Sequence, residues 1–349
     1  MKKLVIFVLL SMLISSAIAD VNFYASNRLG YWLDMMDKDM TGGESRMNSQ
    51  FALYSTSRMG ANFNFEKIAG KSEFGFGNVN NVYLRLANVK VDLGSISLLV
   101  GQDYTGFHLG NVAAQSTSLI LGYENMLLGY GAVYDGRRPM IKLIMKNGLY
   151  FAFMNPTKVD PFNLGTDAID AIIPKINFGF NYKNDKFGVF PTFGLNMSKY
   201  NKDFNALEKD ESVMAYVFAT TFMFDMDKLK LKTQVNYGQN MDDYGVITST
   251  FANVGFNADG DIVNATTLSG YLQVTFGKVT AGSGYITSSS DNLDDADTGM
   301  SAFLQGVFKL HKNVSIIPEV GLIDCMEDGM GGKEGSEMYF GFKMQGDIK

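Results

Sequence analysis

Residues 82–107, VYLRLANVKVDLGSISLLVGQDYTGF, contain a pattern that indicates the fold of the whole chain. This stretch contains two extended segments joined by a tight Asp-Leu-Gly-Ser turn at 92–95. In the second segment Ile96, Leu98 and Val100 alternate with smaller or polar residues, a period-2 pattern that is typical of a strand with one apolar face. The stretch therefore predicts a β-hairpin that leads directly into a loop.

The same alternation recurs along the chain and is clearest at residues 228–237, KLKLKTQVNY. Leu229, Leu231 and Val235 fall on one face, whereas Lys, Gln and Asn side chains occupy the other, so that second face must meet water. Related patterns occupy 175–182, 214–224 and 268–276. The chain is therefore predicted to be all-β, with many strands that each have one apolar and one polar face.

The connections between the predicted strands are of two kinds that alternate along the chain. The short ones are tight turns at 69–71, 92–94, 146–148, 183–185, 226–227, 276–278 and 311–313. The longer, polar ones occupy 35–48, 104–116, 156–172, 201–210, 241–264, 290–297 and 326–335. Tight turns at one end and variable loops at the other are typical of an outer-membrane β-barrel, whereas a soluble β-sandwich has no reason to sort its loops in this way.

Residues 1–19 have the features of a cleaved export signal. Lys2 and Lys3 precede an apolar run at 4–14, and Ala-Ile-Ala at 17–19 is a small-x-small cleavage site. We therefore expect a signal peptide at 1–19 and a single barrel domain at 20–349. No later stretch approaches the roughly 18 uninterrupted apolar residues of a membrane-spanning helix, so the exported chain must cross a membrane with strands if it enters one.

Composition and charge limit the classes of partner. Hydrophobic residues make up 46% of the sequence and charged residues 19%, and the mean hydropathy is near zero, as in a barrel whose strands alternate between lipid and water. The net charge of −6 becomes −8 without Lys2 and Lys3, which argues against a nucleic-acid partner. Because Cys325 is the single cysteine, an internal disulfide is excluded.

These patterns together predict a transmembrane antiparallel β-barrel of 16 strands. Eighteen strands are possible, because residues 117–136 contain either two strands or one bent excursion. About 330 residues over 16 strands leave roughly 21 residues for each strand and its connection, which suits a barrel that encloses an aqueous channel. Side chains alone cannot fill so wide a barrel, so we expect an inward-folded loop to form a constriction.

Three runs of sequence carry a more specific resemblance. They are the strand pair at 84–102 with its turn to Phe107, the pair at 138–156, and the pair that opens with Ile-Pro at 173–174 and continues to Asn196. In this order and spacing they resemble the Gram-negative trimeric outer-membrane porins, in particular the DcaP-like porin family. The resemblance implies a homotrimer in the outer membrane, surrounded by lipid and lipopolysaccharide, with a channel that favours small anionic solutes such as dicarboxylates.

A pore selects solutes by its diameter and by the sign of the charges on its wall. The candidate pore-lining or constriction residues are Arg85, Lys142, Asp103, Lys175, Lys232 and Glu319. The resemblance places Arg85 and Lys142 near the constriction. The expected function is passive diffusion of small hydrophilic solutes, with anions favoured. The alternatives are a barrel that serves as a structural anchor or adhesin, and a soluble secreted β-sandwich that binds a ligand.

The sequence offers little for catalysis or metal binding. His108 and His311 lack the spacing of a zinc site or of a nucleophile and its base. The loop at 291–297 clusters the carboxylates that Ca²⁺ prefers, but it lacks the glycine and terminal glutamate of the helical calcium loop. We therefore expect no enzyme activity, no cofactor and no metal, and we keep Ca²⁺ binding at 291–297 as an alternative to a solvated outer loop.

Overall fold

The computed structural model describes residues 20–54, 56–76, 81–110, 130–157, 168–201, 210–246, 255–256 and 261–348, with the backbone alone described at 109 and 110. The predicted signal peptide at 1–19 lies outside the described residues. So does 111–129, which includes most of the stretch whose strand content the sequence left open.

Within the described residues the chain forms sixteen antiparallel strands, three of them interrupted. They are β1 Asp20–Met36, β2 Arg46–Leu53 with Ser57–Phe65, β3 Ile68–Phe76, β4 Val82–Asp92, β5 Ile96–Tyr104, β6 Arg137–Met145, β7 Leu149–Met154, β8 Ile169–Ala171 with Lys175–Phe180 and Tyr182–Lys183, β9 Phe187–Tyr200, β10 Glu211–Met226, β11 Leu229–Gln239, β12 Ala265–Phe276, β13 Val279–Ser290, β14 Asp297–Gly306 with Phe308–His311, β15 Val314–Asp324 and β16 Ser336–Ile348.

The described loops contain a few shorter elements. They are the helix α1 Lys38–Thr41, the 3₁₀ turns Gly106–Gly110 and Met241–Tyr244, and a small hairpin of Gly255–Phe256 with Ile262–Val263. Across the part of the chain that the structure describes, every helix is too short or too polar to span a membrane.

The sheet closes on itself because the first strand pairs with the last. One edge of β1 pairs with both segments of β2, and its other edge pairs with β16, from Ala25 opposite Ile348 to Met36 opposite Glu337. A closed barrel leaves no unpaired edge, which lipid would not tolerate. The prediction of an all-β antiparallel barrel with 16 strands is confirmed, and residues 130–136 form no additional strand.

The strands turn their apolar face outward and their polar face inward. On β12, Leu268 and Leu272 are half exposed. Ser269 and Tyr271, which lie between these two leucines in the strand, are buried. Large apolar side chains exposed in the same way include Phe23, Phe51, Val100, Ile141, Phe153, Phe218, Val235, Leu304 and Phe340. A β-sandwich would cover such a face with a second sheet, so the sandwich alternative is excluded.

The tight turns lie at 66–67, 93–95, 146–148, 184–186, 227–228, 277–278 and 312–313. The turn predicted at 69–71 is wrong, because that segment belongs to β3 and the chain reverses at Glu66, whose φ is +50°. Gly70 lies inside the strand because the ring of Phe63 crosses it, and a Cβ there would come within 2.1 Å of that ring. This glycine therefore marks close packing and not a turn.

An apolar cluster fills part of the barrel interior. Trp32 donates a hydrogen bond from Nε1 to the hydroxyl of Tyr54, which lies at the break in β2, and the Trp32 ring packs edge-on against Tyr339 at 5.9 Å. Residues of the connections after β5 and β11 complete the cluster, among them Phe107, Tyr130, Val133, Met241, Tyr244 and Val246. Any open passage is therefore confined to the remainder of the cross-section.

Candidate functional site

The two described ends of the connection after β5, residues 105–110 and 130–136, lie inside the barrel, where the sequence predicted an inward-folded loop. At its base the N–H of Thr105 donates to the carbonyl of Gly136 at 3.0 Å, which joins its two ends. The N–H of Gly106 then donates to Oδ1 of Asn177 on β8 at 2.7 Å, so the outgoing arm follows the inner wall. We call this connection, 105–136, the inward loop.

The returning arm of the inward loop lies against a different part of the wall. The N–H of Val133 donates to Oε1 of Gln234 at 2.9 Å, and Nδ2 of Asn236 donates to the carbonyl of Gly131 at 2.7 Å. Gly131 has a φ of +120°, and a Cβ there would come within 2.2 Å of the Gly270 carbonyl. Only glycine allows this approach. The polar face of β11 thus binds the inward loop as well as facing the interior.

A second connection, after β11, also enters the barrel. Tyr244 in its 3₁₀ turn packs edge-on against Phe107 of the inward loop, with the ring centroids 5.2 Å apart. Oδ2 of Asp243 accepts a hydrogen bond from Nδ2 of Asn196 on β9 at 2.5 Å, and burial raises the pKa of Asp243. Sequence reasoning assigned 241–264 to the outer loops and missed this inward turn, because the polar composition of 241–264 resembles that of a solvated loop.

Lys175, one of the predicted lining residues, lies on β8 and is completely buried. Its Nζ lies 3.1 Å from Oδ1 of Asp135, 3.2 Å from Oγ1 of Thr157 and 2.5 Å from the carbonyl oxygen of Asp243. Arg138 shares Oδ1 of Asp135 at 2.6 Å. Lys175 therefore faces the interior, but the connections cover it and separate it from open water.

Arg85 lies on the inner wall at a β-bulge. The pairing of β3 with β4 skips Arg85, which is the extra residue, and a bulge of this kind redirects a side chain. Its Nε donates to Oε1 of Glu73 at 2.7 Å. Nε2 of Gln102 on β5 donates to the carbonyls of Leu84 and Arg85 at 2.9 Å and 3.0 Å, which stabilises the bulge.

Glu73 is the centre of a basic cluster on this wall. Besides Arg85, its carboxylate lies 3.5 Å from Nε of Arg58 and 4.0 Å from Nζ of Lys71, and it accepts a hydrogen bond from the Tyr24 hydroxyl at 2.6 Å. Three cations therefore meet one carboxylate. The side chains of Arg58 and Lys71 are 28% and 35% exposed, against 4% for Arg85. Arg58 and Lys71 present positive charge to water, and the nearby Asp347 carboxylate, which interacts electrostatically with Arg58, offsets part of it.

Sequence reasoning missed Arg58, Lys71 and Glu73. The incorrect turn at 69–71 removed Lys71 from the strand faces, and Glu73 was not among the candidates. With the turn at 66–67, the alternation along β3 would have put both side chains on the polar face. A pocket of 440 Å³ beside the cluster is lined by Asn22, Phe23, Tyr24, Ala25, Ser26, Arg58, Asn62, Lys71, Asp347 and Ile348.

His108 on the inward loop lies among three of the predicted lining residues. It interacts electrostatically with Lys142, Asp103 and Lys232, so the structure brings side chains from β5, β6 and β11 towards one point. Burial lowers the pKa of His108, and the two lysines lower it further, whereas Asp103 and a hydrogen bond to a backbone carbonyl act in the opposite direction. Because its pKa is lowered, the imidazole of His108 is neutral at neutral pH.

The two lysines near His108 have different surroundings. Nζ of Lys142 lies 4.6 Å from the centroid of the Tyr150 ring, which is a cation–π contact. Lys232 lines a pocket of 510 Å³ towards the tight-turn end of the barrel, together with Lys183, Asp185, Lys186, Asp225 and Lys230. Four lysines and two aspartates thus line this pocket, and Lys230 is paired with Asp225 at 2.5 Å.

The remaining predicted lining residue, Glu319, lies on β15. Its Oε1 accepts a hydrogen bond from the hydroxyl of Tyr339 at 3.0 Å, and the glutamate is 4% exposed. Tyr339 belongs to the apolar cluster around Trp32. The structure therefore places Glu319 beside the filled part of the interior.

Among the residues that the structure describes, no group of three or more His, Cys, Asp or Glu side chains is placed to hold a metal ion. In the acidic loop the N–H groups of Asp294 and Asp295 both donate to the carbonyl of Gly329, which ties this loop to the connection after β15. The described residues thus provide no ligand set for the Ca²⁺ alternative.

The chain forms a closed barrel of 16 strands, and the described ends of one long connection lie inside it, against a charged wall. This is the fold of the outer-membrane porins. No protein-family model matches the sequence of this chain, and no curated protein matches it. The resemblance therefore rests on solved structures.

The chain is similar to the outer-membrane channel DcaP of Acinetobacter baumannii, with 16% identity, a TM-score of 0.66, and coverage of 96% of this chain and 99% of that chain. It is similar to an anion-selective porin from Comamonas acidovorans, with 14% identity, a TM-score of 0.58, and coverage of 95% and 100%. It is also similar to the trimer form of OmpT of Vibrio cholerae, with 14% identity, a TM-score of 0.58, and coverage of 95% of this chain and 99% of that chain. The predicted resemblance to DcaP-like porins is confirmed in the fold.

Proposed function

We propose that this chain is an outer-membrane porin, a water-filled channel through which small hydrophilic solutes diffuse passively and anions pass in preference to cations. The anion preference rests on one observation: Arg58, Lys71 and Arg85 surround the single carboxylate of Glu73 on the inner wall. A wall with excess positive charge raises the local concentration of anions and repels cations. The channel performs no catalysis and needs no cofactor.

The proposal includes the location of the chain and its assembly. We propose that residues 1–19 are removed as a signal peptide and that 20–349 fold in the outer membrane of a Gram-negative bacterium, where lipid and lipopolysaccharide cover the exposed apolar face. A homotrimer is supported by the resemblance to trimeric porins and by the trimer form of OmpT. Chemical crosslinking and native mass spectrometry in detergent test this assembly, and a monomer in both would contradict it.

Small dicarboxylates are the solutes that we propose, because the DcaP-like resemblance implies them and two partly exposed cations stand beside one pocket. The pocket of 440 Å³ is lined by Arg58 and Lys71, with Asp347 as its one acidic residue. Swelling of liposomes that contain the channel compares solutes of similar size directly. A dicarboxylate should enter faster than a neutral solute or a diamine, and equal rates would contradict the preference.

The primary experiment is electrical. Single-channel conductance and the reversal potential are measured in a planar bilayer under a salt gradient, and we expect stable open steps in groups of three with an anion-favouring potential. The double variant Arg85→Ala with Lys142→Ala should shift the selectivity towards cations. An unchanged permeability ratio would remove both residues from the constriction.

The alternative of a structural anchor or adhesin has one observation in its favour, the apolar cluster that fills part of the barrel interior. An anchor needs no continuous passage. A folded barrel that inserts into the bilayer but gives no conductance would favour the anchor and refute the channel. Conductance with any reproducible ion selectivity would refute the alternative of an anchor that transports nothing.

A further inference from the structure

Three connections between strands meet at one side chain, that of Lys175. Its Nζ contacts Asp135 in the returning arm of the inward loop, Asp243 in the connection after β11, and Thr157 at the start of the connection after β7. Lys175 itself stands on β8, part of the rigid wall. One lysine thus ties three separate segments to the barrel.

The same lysine also reaches the outgoing arm of the inward loop. Its Nζ lies 3.8 Å from the centroid of the Tyr244 ring, and Tyr244 packs against Phe107. Lys175 therefore holds the returning arm through the Asp135 carboxylate and the outgoing arm through Tyr244. Lys175 therefore adds to the hydrogen bonds that Asn177 and Gln234 make with the two described ends of the inward loop.

The charge of Lys175 itself has partners within the cluster, whereas Oδ2 of Asp135 and Oδ1 of Asp243 are buried without a hydrogen bond from any described residue. Lys175 and Arg138 both contact Asp135, and Asp243 is held by Asn196. Removing a buried charge from water is costly unless partners replace the water, and here a carboxylate, a hydroxyl, a carbonyl and an aromatic ring do so. Because these partners surround its ammonium group and no part of it is exposed to solvent, Lys175 does not present its charge to a passing solute.

We propose that Lys175 is a positioning residue for the constriction: it fixes both arms of the inward loop and the turn after β11 against the wall, and thereby sets the width of the passage without touching solutes. This inference rests on the proposed function, since it requires a barrel that conducts. It differs from a lining role, in which the lysine charge itself would select ions.

The test replaces Lys175 with methionine, which keeps the length of the side chain and removes its charge and its donors. The matched control is Lys343→Met, which removes another wholly buried lysine from the inner wall, on β16. For Lys175→Met we expect a shift to larger single-channel steps and frequent transitions between conductance levels, because the loop arms are released. Lys343→Met should keep stable steps of wild-type size.

Folding of both variants is checked by heat-modifiable migration on a gel. If Lys175→Met does not fold, Asn196→Ala serves instead, because it removes the hydrogen bonds from Asn196 to Asp243 and to the Thr157 carbonyl while Lys175 stays in place. This variant should give the same shift towards larger and less stable steps.

The outcomes separate the inference from the proposed function. A wild-type barrel that does not conduct refutes the channel. A wild-type barrel that conducts, together with a folded Lys175→Met variant whose steps are of wild-type size or smaller, overturns the positioning role and leaves the channel intact. The same result for Asn196→Ala overturns it where the lysine variant fails to fold.

Discussion

Arg85 and Glu73 form a buried ion pair on the inner wall, with Nε of Arg85 2.7 Å from Oε1 of Glu73. Arg85 reaches this position because it is the extra residue of a β-bulge. The pair changes the interpretation of the wall, since the charge of Arg85 is largely neutralised by its partner. The cations that face water are Arg58 and Lys71, and Glu73 determines how much positive charge the cluster presents.

The first prediction concerns Glu73→Gln. The amide keeps the shape of the carboxylate and removes its charge, so three cations remain and the reversal potential should shift further towards anions. Breaking a buried ion pair costs about 3–5 kcal/mol, so the free energy of unfolding should also fall. Reversal potentials under a salt gradient and unfolding in denaturant measure the two effects.

Glu319→Gln is the control for this substitution, because it removes an equally buried carboxylate that lies beside the apolar cluster. It should change the reversal potential less than Glu73→Gln does. Equal shifts in the two variants would show that the selectivity follows the total interior charge and not the cluster around Glu73.

The second prediction concerns Arg58→Gln combined with Lys71→Gln. This pair of changes removes the partly exposed cations, so the selectivity should shift towards cations, and by more than in Arg85→Ala alone. The shift should be larger at low salt, because charges are screened over about 10 Å at 0.1 M ionic strength. Lys309→Gln, at an exposed position of the tight-turn end, is the control and should leave the permeability ratio unchanged.

The sequence was sufficient for the barrel because alternation along a strand is a local property. The polar face of β11 and the apolar face of β12 could be assigned from neighbouring residues alone. The bulge at Arg85 could not, because it depends on the register between two strands. The inward turn at Met241–Tyr244 could not either, since it is held by Phe107 and Asn196, which lie far away in the sequence.

A third prediction follows from His108, whose pKa is lowered by burial and by Lys142 and Lys232. The ordinary pKa of histidine is about 6.5, so the folded protein holds His108 neutral at neutral pH. The ion selectivity should therefore be constant above about pH 7 and should shift towards anions only in more acidic solution, as the imidazole gains its charge among Lys142, Lys232, Asp103 and the ring of Tyr104.

The stability changes in the same range of pH. Because the pKa is lower in the folded state, the contribution of His108 to stability is complete above the unfolded pKa and is lost as the pH falls through the folded one. His108→Gln should remove the acidic shift in reversal potential, whereas His311→Gln, at an exposed site, should keep it. A pH titration of selectivity that is identical in wild type and His108→Gln would assign the effect to another group.

The fourth prediction concerns Asp37, which joins two outer loops. Its Oδ1 accepts the N–H of Met40 at 2.9 Å as the N-cap of α1, and its Oδ2 accepts the N–H and the hydroxyl of Ser336 at 2.8 Å each. The bond from Met40, and those from Ser336, lower the pKa of Asp37. Its contribution to stability is therefore present above the unfolded pKa and is lost as the pH falls through the folded value.

Asp37→Ala should destabilise the helix by about 1 kcal/mol, which is typical of losing an N-cap side chain. Limited proteolysis from the outer face should then cut near α1 more rapidly, and the difference from wild type should shrink in strong acid. Asp39→Ala, inside the same helix, is the control. Equal cutting rates for wild type and Asp37→Ala would show that the two loops are held by other contacts.

The last prediction tests which face of the barrel meets lipid. Leu272 is 51% exposed on the outer face of β12, and its neighbour Gln273 lines the interior pocket at the tight-turn end. An arginine on the lipid face of a barrel costs about 2–4 kcal/mol near the membrane centre. Because Leu272 lies towards the tight-turn end of β12, Leu272→Arg should reduce the free energy of folding into phospholipid vesicles by the lower part of this range. Gln273→Arg should cost far less and should increase the anion preference, because it adds a cation beside Lys232.

Equal destabilisation of the two variants in vesicles would contradict the assignment of the outer face to lipid, and with it the membrane-spanning orientation on which the channel depends.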